Sequence, residues 1–452
     1  MTLRRILIAN RGEIAVRVIR TCQRLGIETV MGASEADLDS MGARLADGTV
    51  CIGPANSSAS YLNVKGVVAA AVASKADAIH PGYGFLSENQ KLAEACARAG
   101  VCFIGPTVEQ LGAVGDKLKA RAHADAAGLA SVPGGEVRGR DEAKRLADRI
   151  GWPILIKAVG GGGGRGMKQV HDADKLAGAM EMAMAEAQAS FGDSRLYLER
   201  YVARGRHIEV QILGDGQDVI HLGTRDCSIQ RRYQKLVEEA PAPNISETLR
   251  DEMHRAAVVF ARRLRYCGLG TMEFLVDCDR DTFYFLEMNA RIQVEHPVTE
   301  AICGLDLVEE QIAVAEGRKL RWRQSEIRLS GHAIECRINA EDWTRDFSPS
   351  PGTVTRAIFP AGLGIRVDTY IQAGATVPPF YDPLVGKLIV HGADRAKALQ
   401  KMRRALSHFE VTGVATNVPM HAELMLDDEF ARGGVNTAFL QRFLQNRNAE
   451  AA

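Results

Sequence analysis

The chain of 452 residues carries no surplus of charge: 56 lysines and arginines balance 56 aspartates and glutamates. With no block of like charge to serve as a polyanion-binding arm, nucleic acid is not expected as a partner. Long apolar runs are missing too. The N-terminal MTLRRILIANRGE has an apolar stretch, ILIA, that stops at Asn10, too short for a signal-peptide core, and nothing approaches the roughly 18 residues of a membrane span. The expectation is an unanchored, cytoplasmic protein with no membrane partner. Nine cysteines, without a C-x-x-C pair or a zinc-type Cys/His spacing, read as reduced thiols, most of them small buried hydrophobes. The first strand-turn-helix has Gly12 alone where a dinucleotide fingerprint needs G-x-G-x-x-G, and no Gly-Lys-Ser/Thr follows the glycine run further on, which excludes a P-loop. No internal repeat is present.

What is there begins as β-α-β. RRILIA reads as a buried strand, IAVRVIRTCQRLG as a helix stopped by Gly26, and IETVMG as a second strand. The alternation continues through ADAIHPGYG, a helix around Gln90–Ala99 and VCFIG, as a helix-covered parallel sheet requires. Helical signals from Asp116 to about Ile150 break at SVPGG, a boundary or hinge near 130. Beyond Gly205, RHIEVQIL, DVIHLGT, TMEFLVD and DTFYFLEMN suggest an antiparallel sheet, and from about Ser330 strands mix with a helix at Arg395–Leu406. At about 100–200 residues per domain, two to four domains are expected.

Between two strand signals lies KAVGGGGGRGM, with Lys157 before five glycines. Ordering glycine is entropically expensive, so the run is either a plain flexible hairpin or a backbone cradle whose amides wrap phosphates beside the Lys157 charge. If TMEFLVD and DTFYFLEMN form a hairpin near Arg280, Phe283 faces Asp277, Phe285 faces Leu275 and Glu287 faces Glu273. Opposed carboxylates repel unless a cation sits between them, and with the Asn289 amide they form an oxygen site suited to Mg²⁺. Continued at period two, Glu287, Asn289, Arg291, Gln293 and Glu295 share one face while Ile292 and Val294 point away. Such a face also suits a solvated edge; the carboxylate pair and the closing His296–Pro297 favour a site. RHIEVQIL groups His207, Glu209 and Gln211, and AIECRIN groups Glu335, Arg337 and Asn339. Each of these, like Lys235, is ordinary when taken singly.

In their order along the chain, ANRGEIAVRVIR, HPGYGFLSEN, FIGP, GDK, KAVGGGGGRGM, RDCSIQRR, EEAPAP, EMNARIQVEHPVTE, ECRINAE and FSPSPG resemble biotin carboxylase, an ATP-grasp family. The resemblance implies an α/β and α+β chain of three domains: a doubly wound, Rossmann-like N-terminal domain over 1–114, an ATP-grasp domain over 115–329 with a mobile lid at about 131–203, and a C-terminal mixed α/β domain over 330–446. ATP phosphorylates bicarbonate to carboxyphosphate, and the carboxyl group passes to biotin. The resemblance further implies that Lys117, Lys157 and His207, with Gly162, Gly163 and Gly164, attend the ATP phosphates, that Glu199, Arg200 and Val202 border adenine and ribose, and that Gln230 belongs to the cofactor-binding set. Glu273, Glu287 and Asn289 would hold Mg²⁺ or Mn²⁺. Bicarbonate would meet Lys235, Arg291, Gln293 and the Val294 amide, with Glu295 as base, Arg337 on the biotin enolate and Tyr83 bordering biotin. Tyr233 stands where the family usually has His or Asn near the nucleotide, Ala290 replaces the commoner Thr, and MGASEAD lacks the usual tyrosine.

No Ala-Met-Lys-Met attachment motif is present, so biotin is expected on a separate carboxyl carrier protein, with a carboxyltransferase as further partner, as in multisubunit acetyl-CoA carboxylase, and a homodimer by analogy. Two rivals remain: another bicarbonate-activating ATP-grasp ligase, which has no reason to keep HPGYGFLSEN or ECRINAE, and a non-catalytic nucleotide-binding paralogue.

Overall fold

A computed structural model describes residues 2–159 and 167–450. Strand Arg5–Ile8 lies at the centre of a five-stranded parallel sheet. Glu28–Ser34 and then Gly48–Gly53 flank it on one side, Ala78–His80 and then Cys102–Phe103 on the other. The unbroken apolar run follows from burial on both faces. Ile6 and Ile8 cluster with Ile14, Val18 and Ile19 of helix Gly12–Arg24, while Leu7 clusters with Val67 and Ala71 of helix Val64–Ala73.

A second, four-stranded antiparallel sheet runs in the order Gly134–Val137, Leu196–Arg200, Ile154–Ala158, Lys168–Val170. It has its own core, where Leu146, Leu176 and Met180 from helices Arg140–Ile150 and Leu176–Phe191 meet Ile154, Ile156 and Leu198. The two strands flanking the glycine run pair as expected. The run itself, with Gly162, Gly163 and Gly164, lies outside the described residues.

The largest element is an eight-stranded antiparallel sheet in the order Thr282–Asn289, Cys267–Asp277, Gly205–Asp215, Val219–Arg231, Gln234–Ala240, His332–Asn339, Leu384–Gly392, Ile365–Thr369. It crosses the sequence boundary expected at 330: Gln234–Ala240 pairs with His332–Asn339, placing Glu238 opposite Glu335. Alternation sorts the side chains. Ile208, Val210 and Ile212 join one core and Ile334, Cys336 and Ile338 another, leaving His207, Glu209 and Gln211, and Glu335, Arg337 and Asn339, on the polar face.

Two local expectations are corrected. In the hairpin, Glu273 faces Glu287, but Val276 faces Phe283 and Phe274 faces Phe285, because a bulge after Glu273 inserts one residue into the second strand. The bulge lets Phe285 stay in the core while Glu287 stands opposite Glu273; an unbroken ladder would have given the two the same face. The second correction concerns EMNARIQVEHP, which is not extended throughout. The strand ends at Asn289, the chain turns irregularly, and helix His296–Cys303 begins directly after Glu295.

Candidate active site

Strands Gly205–Asp215, Cys267–Asp277 and Gln234–Ala240 and the turn after Asn289 bring the polar residues to one point, the Lys235 ammonium. Its Nζ donates to Glu209 Oε2 at 2.6 Å, Glu295 Oε1 at 2.7 Å and Glu273 Oε1 at 2.9 Å. Burial alone would lower the lysine pKa; the carboxylates outweigh it and hold the ammonium charged well above its ordinary range. The same pairing works in reverse on Glu295. Burial opposes its charge, but Lys235, Arg337 and Arg225 hold it well below the usual carboxylate range.

Each carboxylate is braced from a second side. Arg337 bridges Glu238, at 2.6 Å through Nε, and Glu295 Oε2, at 2.9 Å through Nη2. Arg225, wholly buried, binds Glu209 through Nε and donates Nη1 to Gln211 at 2.7 Å and Thr299 at 2.8 Å. Glu273 accepts from Asn289 at 2.9 Å and Gln293 at 3.0 Å, and His207 Nε2 lies 2.8 Å from its other oxygen. Removing one member of so buried a group leaves its partners uncompensated, at about 3–5 kcal/mol.

Arg291 organises the turn after Asn289. It donates to Asn289 Oδ1 at 2.9 Å, Gln293 Oε1 at 2.8 Å and Glu88 Oε2 at 2.8 Å, and the other Glu88 oxygen accepts from the Ala290 amide at 2.8 Å. Lys387 Nζ holds the Val294 carbonyl at 2.8 Å and pairs with Glu13 at 3.1 Å, whose other oxygen binds the Tyr83 hydroxyl. Glu88, Glu238, Glu13, Lys387 and Arg225 were not singled out from sequence. All but Lys387 sit inside or beside quoted motifs, but nothing local says which distant side chain each will meet.

Two groups of metal-type ligands, His207 with Glu209 and Glu273, and Glu209 with Cys227 and Glu295, have their ligand atoms within 4.8 Å of one another. Lys235 already supplies positive charge to both. The donor set that fits Mg²⁺ is Glu273 with the facing Glu287 and Asn289, all oxygen. Glu287 is exposed and, among the described residues, forms no hydrogen bond or ion pair. Desolvation and the Glu273 charge raise its pKa.

The nucleotide candidates spread toward the second sheet. Lys157 pairs with Glu199, and Gln230 Nε2 lies 3.0 Å from His207 Nδ1. Val202 is buried with Val132 and Tyr284. The Arg200 side chain bonds the Tyr284 hydroxyl and lies 3.7 Å from Asp277, fastening the second sheet to the central hairpin. Tyr233 is exposed at the β-turn between Val219–Arg231 and Gln234–Ala240, where both Arg232 and Tyr233 have positive φ, 48° and 68°. Lys117 opens helix Lys117–Ala126.

A four-stranded sheet fastened to a larger antiparallel sheet that gathers buried carboxylates and cations around one lysine is the make-up of an ATP-dependent ligase of the ATP-grasp class. Three family domains match in succession: the biotin carboxylase N-terminal domain over residues 2–111, the ATP-binding domain of the carbamoyl-phosphate synthase L chain over 116–323, and the biotin carboxylase C-terminal domain over 335–442. The chain is 50% identical to a biotin carboxylase of Nostoc over 444 residues, 98% of this chain and 99% of that one. It is 48% identical to a pyruvate carboxylase subunit of Methanothermobacter thermautotrophicus, covering 99% and 91%. Among solved structures, a Campylobacter jejuni biotin carboxylase in complex with a β,γ-ATP ligand superposes with TM-score 0.93 at 46% identity, covering 98% and 99%. A biotin carboxylase domain dimer of Hydrogenobacter thermophilus 2-oxoglutarate carboxylase, bound to MgADP, ADP and bicarbonate, gives 0.91 at 44%, covering 98% of each chain. The chain belongs to the biotin carboxylase family.

Proposed function

We propose that the chain carboxylates biotin in two half-reactions, using ATP and bicarbonate to form carboxyphosphate and then passing the carboxyl group to the ureido nitrogen. The observation that carries this reading is the junction at Glu295. One oxygen meets Lys235, on the side of the carboxylate pair, and the other meets Arg337, on the side of the C-terminal strands. One carboxylate therefore touches the residues assigned to each half-reaction.

In the first half, Lys235, Arg291, Gln293 and the Val294 amide receive bicarbonate, and Glu295 takes its proton. Its basicity comes from position, since flanking cations keep it ionised. Lys117, Lys157, His207 and Gln230 meet the phosphates, with Gly162, Gly163 and Gly164 over them, while Glu199, Arg200 and Val202 border the base and Tyr233 stands at the rim. When bound at Glu273, Glu287 and Asn289, Mg²⁺ offsets charge on the transferred phosphoryl group. In the second half, Arg337 stabilises the negative oxygen that develops on biotin, and Tyr83, anchored on Glu13, borders the ring.

The domain limits that go with this function are 1–114, 115–329 with its lid at about 131–203, and 330–446. Biotin arrives on a separate carrier protein, a carboxyltransferase completes the system, and the chain acts as a cytoplasmic homodimer. Acetyl-CoA is the leading final acceptor. Pyruvate is the second reading, favoured by the 48% identity to a pyruvate carboxylase component. The test is ATP hydrolysis by the purified chain with Mg²⁺, with and without bicarbonate and free biotin. ADP release that requires bicarbonate and rises with biotin is the expected result; indifference to biotin points to another bicarbonate-activating ligase, and ATP binding without turnover to a non-catalytic paralogue.

A further inference from the structure

The strand that carries Arg337 also carries a carboxyl that no step above uses. Glu335 lies directly opposite Glu238 on the neighbouring strand, and both are fully buried. Glu238 Oε1 receives Arg337 Nε, but Glu238 Oε2 has no hydrogen-bond partner, and neither oxygen of Glu335 has one. Facing carboxylates out of water repel, and a buried charge without compensation is relieved by taking up a proton. The neighbouring cations do not balance the acids. Arg337 is shared between Glu238 and Glu295, and Lys387, which stands opposite Arg337 on one neighbouring strand and Asp368 on the other, pairs with Glu13. His296, which opens the adjacent helix, adds no charge, since burial and the nearby Lys387 keep it neutral. Burial lifts Glu238 to about 7 and raises Glu335 well above the ordinary carboxylate range, with the facing Glu238 adding to it.

We propose that Glu335 holds a proton that it can hand to Glu238, a relay that frees Arg337 for biotin. As the guanidinium turns from Glu238 to the negative oxygen developing on biotin, the proton passes from a Glu335 oxygen to Glu238 Oε2. One O–H bond breaks on Glu335 as one forms on Glu238, so the number of protons is unchanged. Glu238 is left neutral when its guanidinium departs, and the new Glu335 carboxylate is left under the influence of the Lys387 charge. Glu335 is a positioning residue, acting through Arg337. The inference rests on the biotin carboxylation proposed above.

Glu335→Gln keeps the shape and neutrality of the protonated acid but has no acidic proton to pass on. The expected result is bicarbonate-dependent ATP cleavage within about twofold of wild type, with biotin carboxylation reduced about tenfold or more and partly restored in Glu335→Asp. Infrared spectra should show a buried protonated carboxyl in the wild-type chain at neutral pH that is missing from E335Q. Wild-type biotin carboxylation in E335Q overturns the relay, and so does parallel loss of both activities, which marks a structural role. If E335Q fails to fold, the wild-type spectrum decides: no protonated carboxyl at neutral pH refutes the relay. A wild-type chain whose ATP cleavage ignores biotin refutes the proposed function instead.

Discussion

Glu295→Gln is the sharpest perturbation because it changes one charge and almost no volume at the junction of the two half-reactions. Glu295 is fully buried, with Lys235 at 2.7 Å on one oxygen and Arg337 at 2.9 Å on the other. The amide can accept from only one of those cations and presents its own NH₂ to the other, so one charged hydrogen bond is lost, worth about 1.5–3 kcal/mol. The loss is contained, since Lys235 keeps Glu209 and Glu273, and Arg337 keeps Glu238. Folding should survive with a lowered melting temperature. Catalysis should not, because the group that removes the bicarbonate proton has gone. A positioned base contributes about 10²–10⁴-fold, which is about 2.7–5.4 kcal/mol of transition-state stabilisation. The assay is steady-state ADP release with bicarbonate, alongside direct measurement of MgATP affinity. The expected result is a fall in kcat of at least about a hundredfold with ATP affinity within about threefold of wild type. A variant that turns over at a rate close to wild type would refute Glu295 as the base.

Arg337→Ala should depress biotin carboxylation about tenfold more than bicarbonate-dependent ATP cleavage, and equal loss in the two assays would contradict its assignment to the biotin half. Glu287→Gln should raise the Mg²⁺ concentration needed for half-maximal ATP cleavage about tenfold or more while leaving the metal-free melting temperature within a degree or two; an unchanged Mg²⁺ response removes Glu287 from the metal site. Because the Glu238 pKa is raised from 4.5 to about 7, the folded chain binds an extra proton between those values, and its stability should fall as pH rises through that window. Glu238→Gln should flatten that fall in melting temperature measured from about pH 5 to 7, and an unaltered slope would show that Glu238 titrates normally.

The sequence carried the local parts of this site and not the long-range ones. Period two correctly placed His207 and Glu209 on one face and Ile208 and Val210 on the other, because sheet burial imposes that alternation. The Glu273–Glu287 pairing was also legible, yet the register leading to it was not, because a bulge changes the count by one without leaving a residue-type signal. Extending the alternation past Asn289 failed for a related reason: hydrogen bonds from Arg291 to Asn289, Gln293 and Glu88 hold a turn that no propensity encodes. Lys235 reads as an ordinary solvated lysine until strands from distant parts of the chain deliver three carboxylates to it. Glu238 and Lys387 became visible only once the sheet assembled around Arg337 and Val294.

The seam between Gln234–Ala240 and His332–Asn339 bears on how this protein can be taken apart. A fragment ended near residue 329 would leave the backbone of Gln234–Ala240 without its neighbour, and one begun there would strand the other half of the same ladder. Each piece would present a raw, mostly buried sheet edge, the surface on which chains add to one another and precipitate. The two sequence domains are therefore inseparable in the test tube: expressed together as one polypeptide, or co-expressed so that the ladder can close, they should stay in solution, and expressed singly they should not.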